Sequence, residues 1–259
     1  MKTSNKLLLA AVLVIFISVT ASALFFKNAL VSGPDAVIVG DGNIITKDIG
    51  ILKSGRIELR HHSFVLDPHS DRITVTGSSN VLEAYDEYFR NKTFAPPIDW
   101  MFSDGDISYY RSLDPSDDPL IFNVGVKGLK DLNLIHGDRE ADVTFSDTLN
   151  LDNFTALLKS SEGIIEYKVN AKKTSIELTR WEMQVKLTGS SDFLYLDIEK
   201  ECQVDAASFI VKNASVDLGK NSTTNMHVTE SLLGSKHEKS ELTVQGGAGK
   251  EGLLEYDEE

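Results

Sequence analysis

Cysteine is nearly absent from this chain. A single thiol, Cys202, rules out an internal disulfide, and without a Cys-x-x-Cys pair there is no zinc-ribbon spacing. It lies in "EKECQVDAA", between alternating apolar positions and beside Glu199 and Glu201. Those neighbours disfavour a thiolate, so a buried structural cysteine is expected rather than a nucleophile. Positive charge is also scarce: 26 Lys and Arg stand against 39 Asp and Glu, for a formal net charge of −13. With no basic stripe to displace phosphate counterions, nucleic acid is excluded as a partner, and anionic lipid surfaces are disfavoured. Long amphipathic helical patterns are missing too. One stretch, "NVLEAYDEYFR" at 80–90, has helical spacing over about three turns.

One long apolar run is present. Residues 7–26, "LLLAAVLVIFISVTASALFF", carry no charge and lie between Lys2, Lys6 and Lys27. At ~1.5 Å per residue such a run is about 30 Å of helix, enough to cross a bilayer. The flanking lysines favour a cytoplasmic N-terminus, with everything after Lys27 exported. Ala21-Ser22-Ala23 also has the small-residue pattern of a signal-peptide cleavage site. Residues 1–30 are thus a membrane anchor or a signal segment, and the remainder is expected in the cell envelope or, after cleavage, secreted.

The body of the chain reads as short strands. "DAVIV", "RIELR", "RITVTG" and "LIFNVGV" alternate, are β-branched and are bounded by turn residues. From Leu129 onward, small polar clusters recur around Gly137, Ser161, Gly189 and Asn213, at gaps of roughly 24–28 residues, the range of one solenoid coil. Between them lie alternating runs such as "IIEYKV", "MQVKL", "FLYLDI" and "ASVDL". In "QVKLTGSSDFLYLDI" the polar cluster Gly189–Asp192 reads as a corner between two strands of one coil. Leu187, Leu196, Ile198, Val211 and Leu218 should then point inward, and Gln184, Lys186, Tyr195 and Asp197 outward. The competing reading is a β-sandwich, but Asp-Gly hairpin signals between clean strands are scarce. The expected fold is all-β: a parallel β-helix (β-solenoid) over residues 31–256, with an irregular segment at 83–119 and an acidic tail at 257–259.

Several phrases resemble the exported GIN-domain proteins of Bacteroidetes-type bacteria, known as autotransporter-adhesin heads. They are "VGDGNIITKDI" (39–49), "RITVTGSSNVLEAYD" (72–86), "VGVKGLKDLNLIHGDREADVTF" (124–145) and "LTVQGGAGKE" (242–251). The resemblance spans nearly the whole chain from about residue 30. It implies a parallel β-helix and an adhesive role, and it brings no catalytic residues and no cofactor.

For a ligand site the sequence points to 83–119. This segment holds four of the six prolines and eight aromatics, including Trp100, Tyr109 and Tyr110, interspersed with Asp99, Asp104 and Asp106. Aromatic faces beside carboxylate acceptors suit a sugar, while the same composition would also serve as a cap on the solenoid. Asp104-Gly105-Asp106 and "DPSDDP" match no calcium loop, and His61-His62 with His69 lacks metal-ligand geometry, because adjacent strand residues face opposite ways. No metal site and no paired-carboxylate catalytic site is expected. The expected function is a non-enzymatic envelope or surface protein that binds a glycan or an envelope partner. The alternatives are a β-helical lyase or hydrolase and a purely structural scaffold.

Overall fold

The computed structural model describes residues 40–52, 55–59, 63–83, 120–136, 142–159, 164–249 and 252–257. The apolar run at 7–26 lies outside these residues, and among the described residues no helix is long and apolar enough to cross a membrane. The fold is a β-solenoid of about six turns.

Its regular part is built from four long strands, β9 (Ile164–Leu178), β10 (Gln184–Ile198), β11 (Gln203–Leu218) and β12 (Thr223–His237), stacked in parallel. Each makes one coil. In β10 the alternation Val185, Leu187 and then Leu194, Leu196, Ile198 turns five apolar side chains inward on either side of the bend at Gly189–Asp192. We call the segment before the bend the first wall and the segment after it the second wall. "MQVKL" and "FLYLDI" are therefore consecutive parts of one coil. Each pairs in parallel with the coils on both sides, and they do not form a hairpin.

The bend is a consequence of local chemistry. Gly189 has φ +114, where L side chains are strained, and a Cβ there would run into the Val169 carbonyl of the preceding coil. Two buried hydroxyls then satisfy each other and the backbone: Thr174 Oγ1 donates to Ser191 Oγ at 3.1 Å, and Ser191 Oγ donates to the Phe193 carbonyl at 2.8 Å. The coils close through short turns in which Glu182, Glu201 and Asn221 each adopt the left-handed region, at φ 60, 54 and 59.

The inward residues form columns. Ile176, Leu196 and Val216 stack in register, as do Leu178, Ile198 and Leu218. Another column alternates large and small, Phe154, Thr174, Leu194, Ala214 and Leu232, so neighbouring layers interdigitate. All of these are buried, as are Leu187 and Val211. Removing each large side chain from water contributes roughly 1.5–3 kcal/mol. Cys202 is fully buried in the turn before β11 and its Sγ–H points at the Arg180 and Lys200 carbonyls at 2.9 and 3.1 Å. Burial pushes the thiol pKa up, in keeping with a structural role.

The coil is shorter than the polar clusters suggest. Gln184 pairs with Ile164, twenty residues earlier, and with Gln203, nineteen later. Gly189 pairs with Val169 and Phe209, whereas Asn213 pairs with Phe193 and Ser231. Gly137 and Ser161 lie outside the described residues, and Gly189 and Asn213 stand at different places in their coils: Gly189 enters the bend of β10, whereas Asn213 sits opposite Phe193, just past it. Their spacing is therefore one coil plus four residues, and only the inward columns carry the true period.

Toward the N-terminal side the stack continues through β8 (Leu149–Leu158), β6 (Asp131–His136) and β2 (Arg56–Leu59), all parallel. The other wall here is a mixed sheet rather than a parallel helix. In it β3 (Ser63–Asp67) lies between β5 (Ile121–Gly125) and β7 (Asp142–Phe145) in parallel, while β4 (Ile73–Ser78) pairs antiparallel with both β5 and β1 (Ile44–Gly50). At the C-terminal end β13 (Glu241–Gln245) extends the first wall and β14 (Gly252–Tyr256) the second, both on β12.

Candidate functional site

Trp100, Tyr109, Tyr110, Asp99, Asp104 and Asp106, the residues singled out in the sequence, lie outside the described residues. The described part of the solenoid instead brings the same chemistry, aromatics beside carboxylates, onto the outward face of the second wall.

Strand pleating sends Phe193, Tyr195 and Asp197 outward while Leu194, Leu196 and Ile198 go in. Because the coils stack in register, Glu177, Asp197 and Asp217 fall one above another, at the strand spacing of about 4.8 Å. Tyr195, in the adjoining column, stands between Ser175 and Ser215 and is 37% exposed. Its hydroxyl donates to Asp197 Oδ2 at 3.3 Å. Partial burial and then the charge of Asp217 raise the Asp197 pKa. The charge of Asp197 in turn raises that of the Tyr195 hydroxyl. Like charges stacked directly opposite each other disfavour the fold, which distinguishes this column from the alternating pairs Glu166–Lys186, Asp152–Lys172 and Asp192–Lys212.

The corner between the walls has the opposite logic. Lys130, Asp152, Lys172, Asp192, Lys212 and Glu230 follow one another coil by coil with alternating sign. Asp152–Lys172 is an ion pair of 2.8 Å and Asp192–Lys212 one of 2.6 Å. Beside them Asn170 Nδ2 donates to Asn150 Oδ1 at 3.1 Å, and Ser190 Oγ donates to Asn170 Oδ1 at 3.0 Å. Between these two rows lies a shallow depression of about 370 Å³. Its polar groups already satisfy one another, so it reads as a register device more than a ligand site. The first wall is likewise balanced, with Lys186 paired to Glu166 at 3.1 Å.

His69 is engaged with Asp147 at 3.2 Å, and among the described residues no group of three His, Cys, Asp or Glu side chains could hold a metal ion. Sequence reading missed the acidic column because its signal is the spacing of twenty between Glu177, Asp197 and Asp217, visible only once the coil length is known.

No family model matches the chain, and no curated protein matches it. Among solved structures it is similar to a crystal structure from Parabacteroides distasonis, that of a protein named as a candidate lipid-binding protein. The identity is 16% and the TM-score 0.50, with 85% of this chain and 99% of that chain covered. At that identity the likeness concerns the fold alone.

Proposed function

We propose that this is a non-enzymatic, exported envelope or surface protein of the GIN-domain type. It is held at the envelope through residues 7–26 or released after Ala23, and it presents the second wall of a rigid β-solenoid to a glycan or an envelope partner. The observation that carries this reading is the outward face around Tyr195. There an exposed aromatic ring stands beside stacked carboxylates that no cation neutralises among the ion pairs of the described residues. A sugar ring stacks on the aromatic face and donates hydroxyl protons to the carboxylates.

A glycan array probed with the purified protein, alongside lipid vesicles, tests the reading. Binding to a glycan that falls at least tenfold in Tyr195→Ala supports it. Binding to vesicles alone, or binding indifferent to Tyr195, removes it.

The raised Asp197 next to Asp217 favours a second reading, an acid–base pair acting on a bound polysaccharide. In that case Asp197→Asn abolishes release of reducing ends while binding persists. Wild-type protein that releases none dismisses the enzyme.

A further inference from the structure

The turns that close the coils form a ridge bordering the second wall, and one of them carries Trp181. This residue follows Glu177 by four positions and remains 58% exposed. An indole this accessible is conspicuous, because large aromatics are usually mostly buried. The ring is nevertheless held in place. Lys200, from the next turn, sets its ammonium 4.0 Å from the ring centroid. Glu182, immediately after Trp181, is fixed in the left-handed region and its N–H donates to the Glu201 carbonyl at 2.9 Å. Glu201 repeats the arrangement toward the Lys220 carbonyl, also at 2.9 Å. Trp181 is therefore an exposed aromatic on a backbone locked by stacking, with little ordering left to do on binding.

The groups along the ridge are mixed in sign. Lys200 and Lys220 supply donors; Glu182 and Glu201, both exposed, supply acceptors, and neither carboxylate forms an ion pair among the described residues. A polyanion meets these carboxylates and a net charge of −13. A polycation is drawn by that charge but meets an indole on which the Lys200 ammonium already sits. An uncharged ligand that offers an apolar ring face to the indole and hydroxyls to both kinds of group meets neither obstacle.

We propose that Trp181, with Glu182, Glu201 and Lys200, forms a stacking site for one sugar ring of a neutral polysaccharide. This extends the glycan reading of the second wall, on which it rests, around the edge of the solenoid.

The test uses full-length protein carrying Trp100→Phe, so that Trp181 is the only indole. A panel of soluble neutral polysaccharides (a β-glucan, a xylan and a mannan) and two polyanionic ones (alginate and polygalacturonate) is titrated while Trp emission and mobility in polysaccharide-containing gels are followed. The expected result is a saturable change in Trp181 emission with at least one neutral polymer and gel retardation by it. Retardation should fall at least tenfold in Trp181→Ala and be largely restored in Trp181→Phe, both with the melting temperature of the parent. Glycan binding that depends on Tyr195 but leaves Trp181 emission and Trp181→Ala retardation unchanged overturns the ridge site and spares the wall. Response to polyanions alone overturns the assignment of ligand class. Failure of every polysaccharide to retard either the Trp100→Phe protein or the wild-type protein overturns both.

Discussion

The two walls of the solenoid share one backbone and one set of inward columns, yet their outward faces follow different rules. On the first wall, Glu166 and Lys186 alternate in sign from coil to coil and pair. On the second, Glu177, Asp197 and Asp217 repeat the same sign. In a structure where every residue has a neighbour one strand spacing away, a like-charge column costs stability at each step, whereas an alternating one does not. A cost carried on one wall and avoided on the other marks where the surface serves something other than folding.

The columns common to both walls give the largest expected effect. Leu196→Asp places an unpaired carboxyl in a fully buried position and should lose about 4 kcal/mol or more in a denaturant melt. A loss under about 1 kcal/mol would mean the inward face is misassigned.

Next is His136, in the N-terminal part of the stack at the end of β6. It is buried, lies 2.7 Å from the Tyr167 hydroxyl, and burial lowers its pKa to about 4. The unfolded chain takes up this proton near pH 6.5 and the folded one does not, so stability should fall as pH drops from about 6.5 to about 4. The loss is on the order of 3 kcal/mol, and His136→Gln should flatten that limb of the stability–pH curve. Equal slopes in both proteins would count against a neutral buried imidazole.

Smaller effects separate the walls. Asp197 has a raised pKa, so the folded protein keeps its proton longer than the unfolded chain does. Stability should decline as pH rises from about 3.8 through the raised value and stay lower above it. Asp197→Asn removes that decline and should stabilise the protein at pH 7 by roughly 0.5 kcal/mol, while leaving it unchanged near pH 3. Lys186→Glu does the reverse on the first wall. It converts an alternating column into a like-charged one and should destabilise by about 0.5–1 kcal/mol, less in high salt.

Much of this architecture was legible in the sequence. Period-two alternation identified Leu187, Leu196, Ile198, Val211 and Leu218 as inward, because strand pleating leaves no other choice once one face is buried. The coil length was not legible from polar clusters, since Gly189 enters a bend while Asn213 stands just past one, so their separation is not a whole coil. The mixed N-terminal sheet was not legible either. "RITVTG" announces a strand, but alternation carries no information on whether its partner runs parallel or antiparallel. Trp181 escaped notice because it sits alone in a turn, where neither alternation nor spacing assigns a direction to its side chain.

The most direct measurement compares the two walls in one binding experiment. Retardation by the glycan that the protein binds should be measured for a second-wall double variant, Tyr195→Ala with Asp197→Asn, and for a first-wall double variant, Gln184→Ala with Lys186→Ala, each checked for an unchanged fold. At least a tenfold loss is expected for the second-wall variant and less than a twofold change for the first-wall one. Equal losses, or a loss confined to the first-wall variant, would contradict a binding face on the second wall.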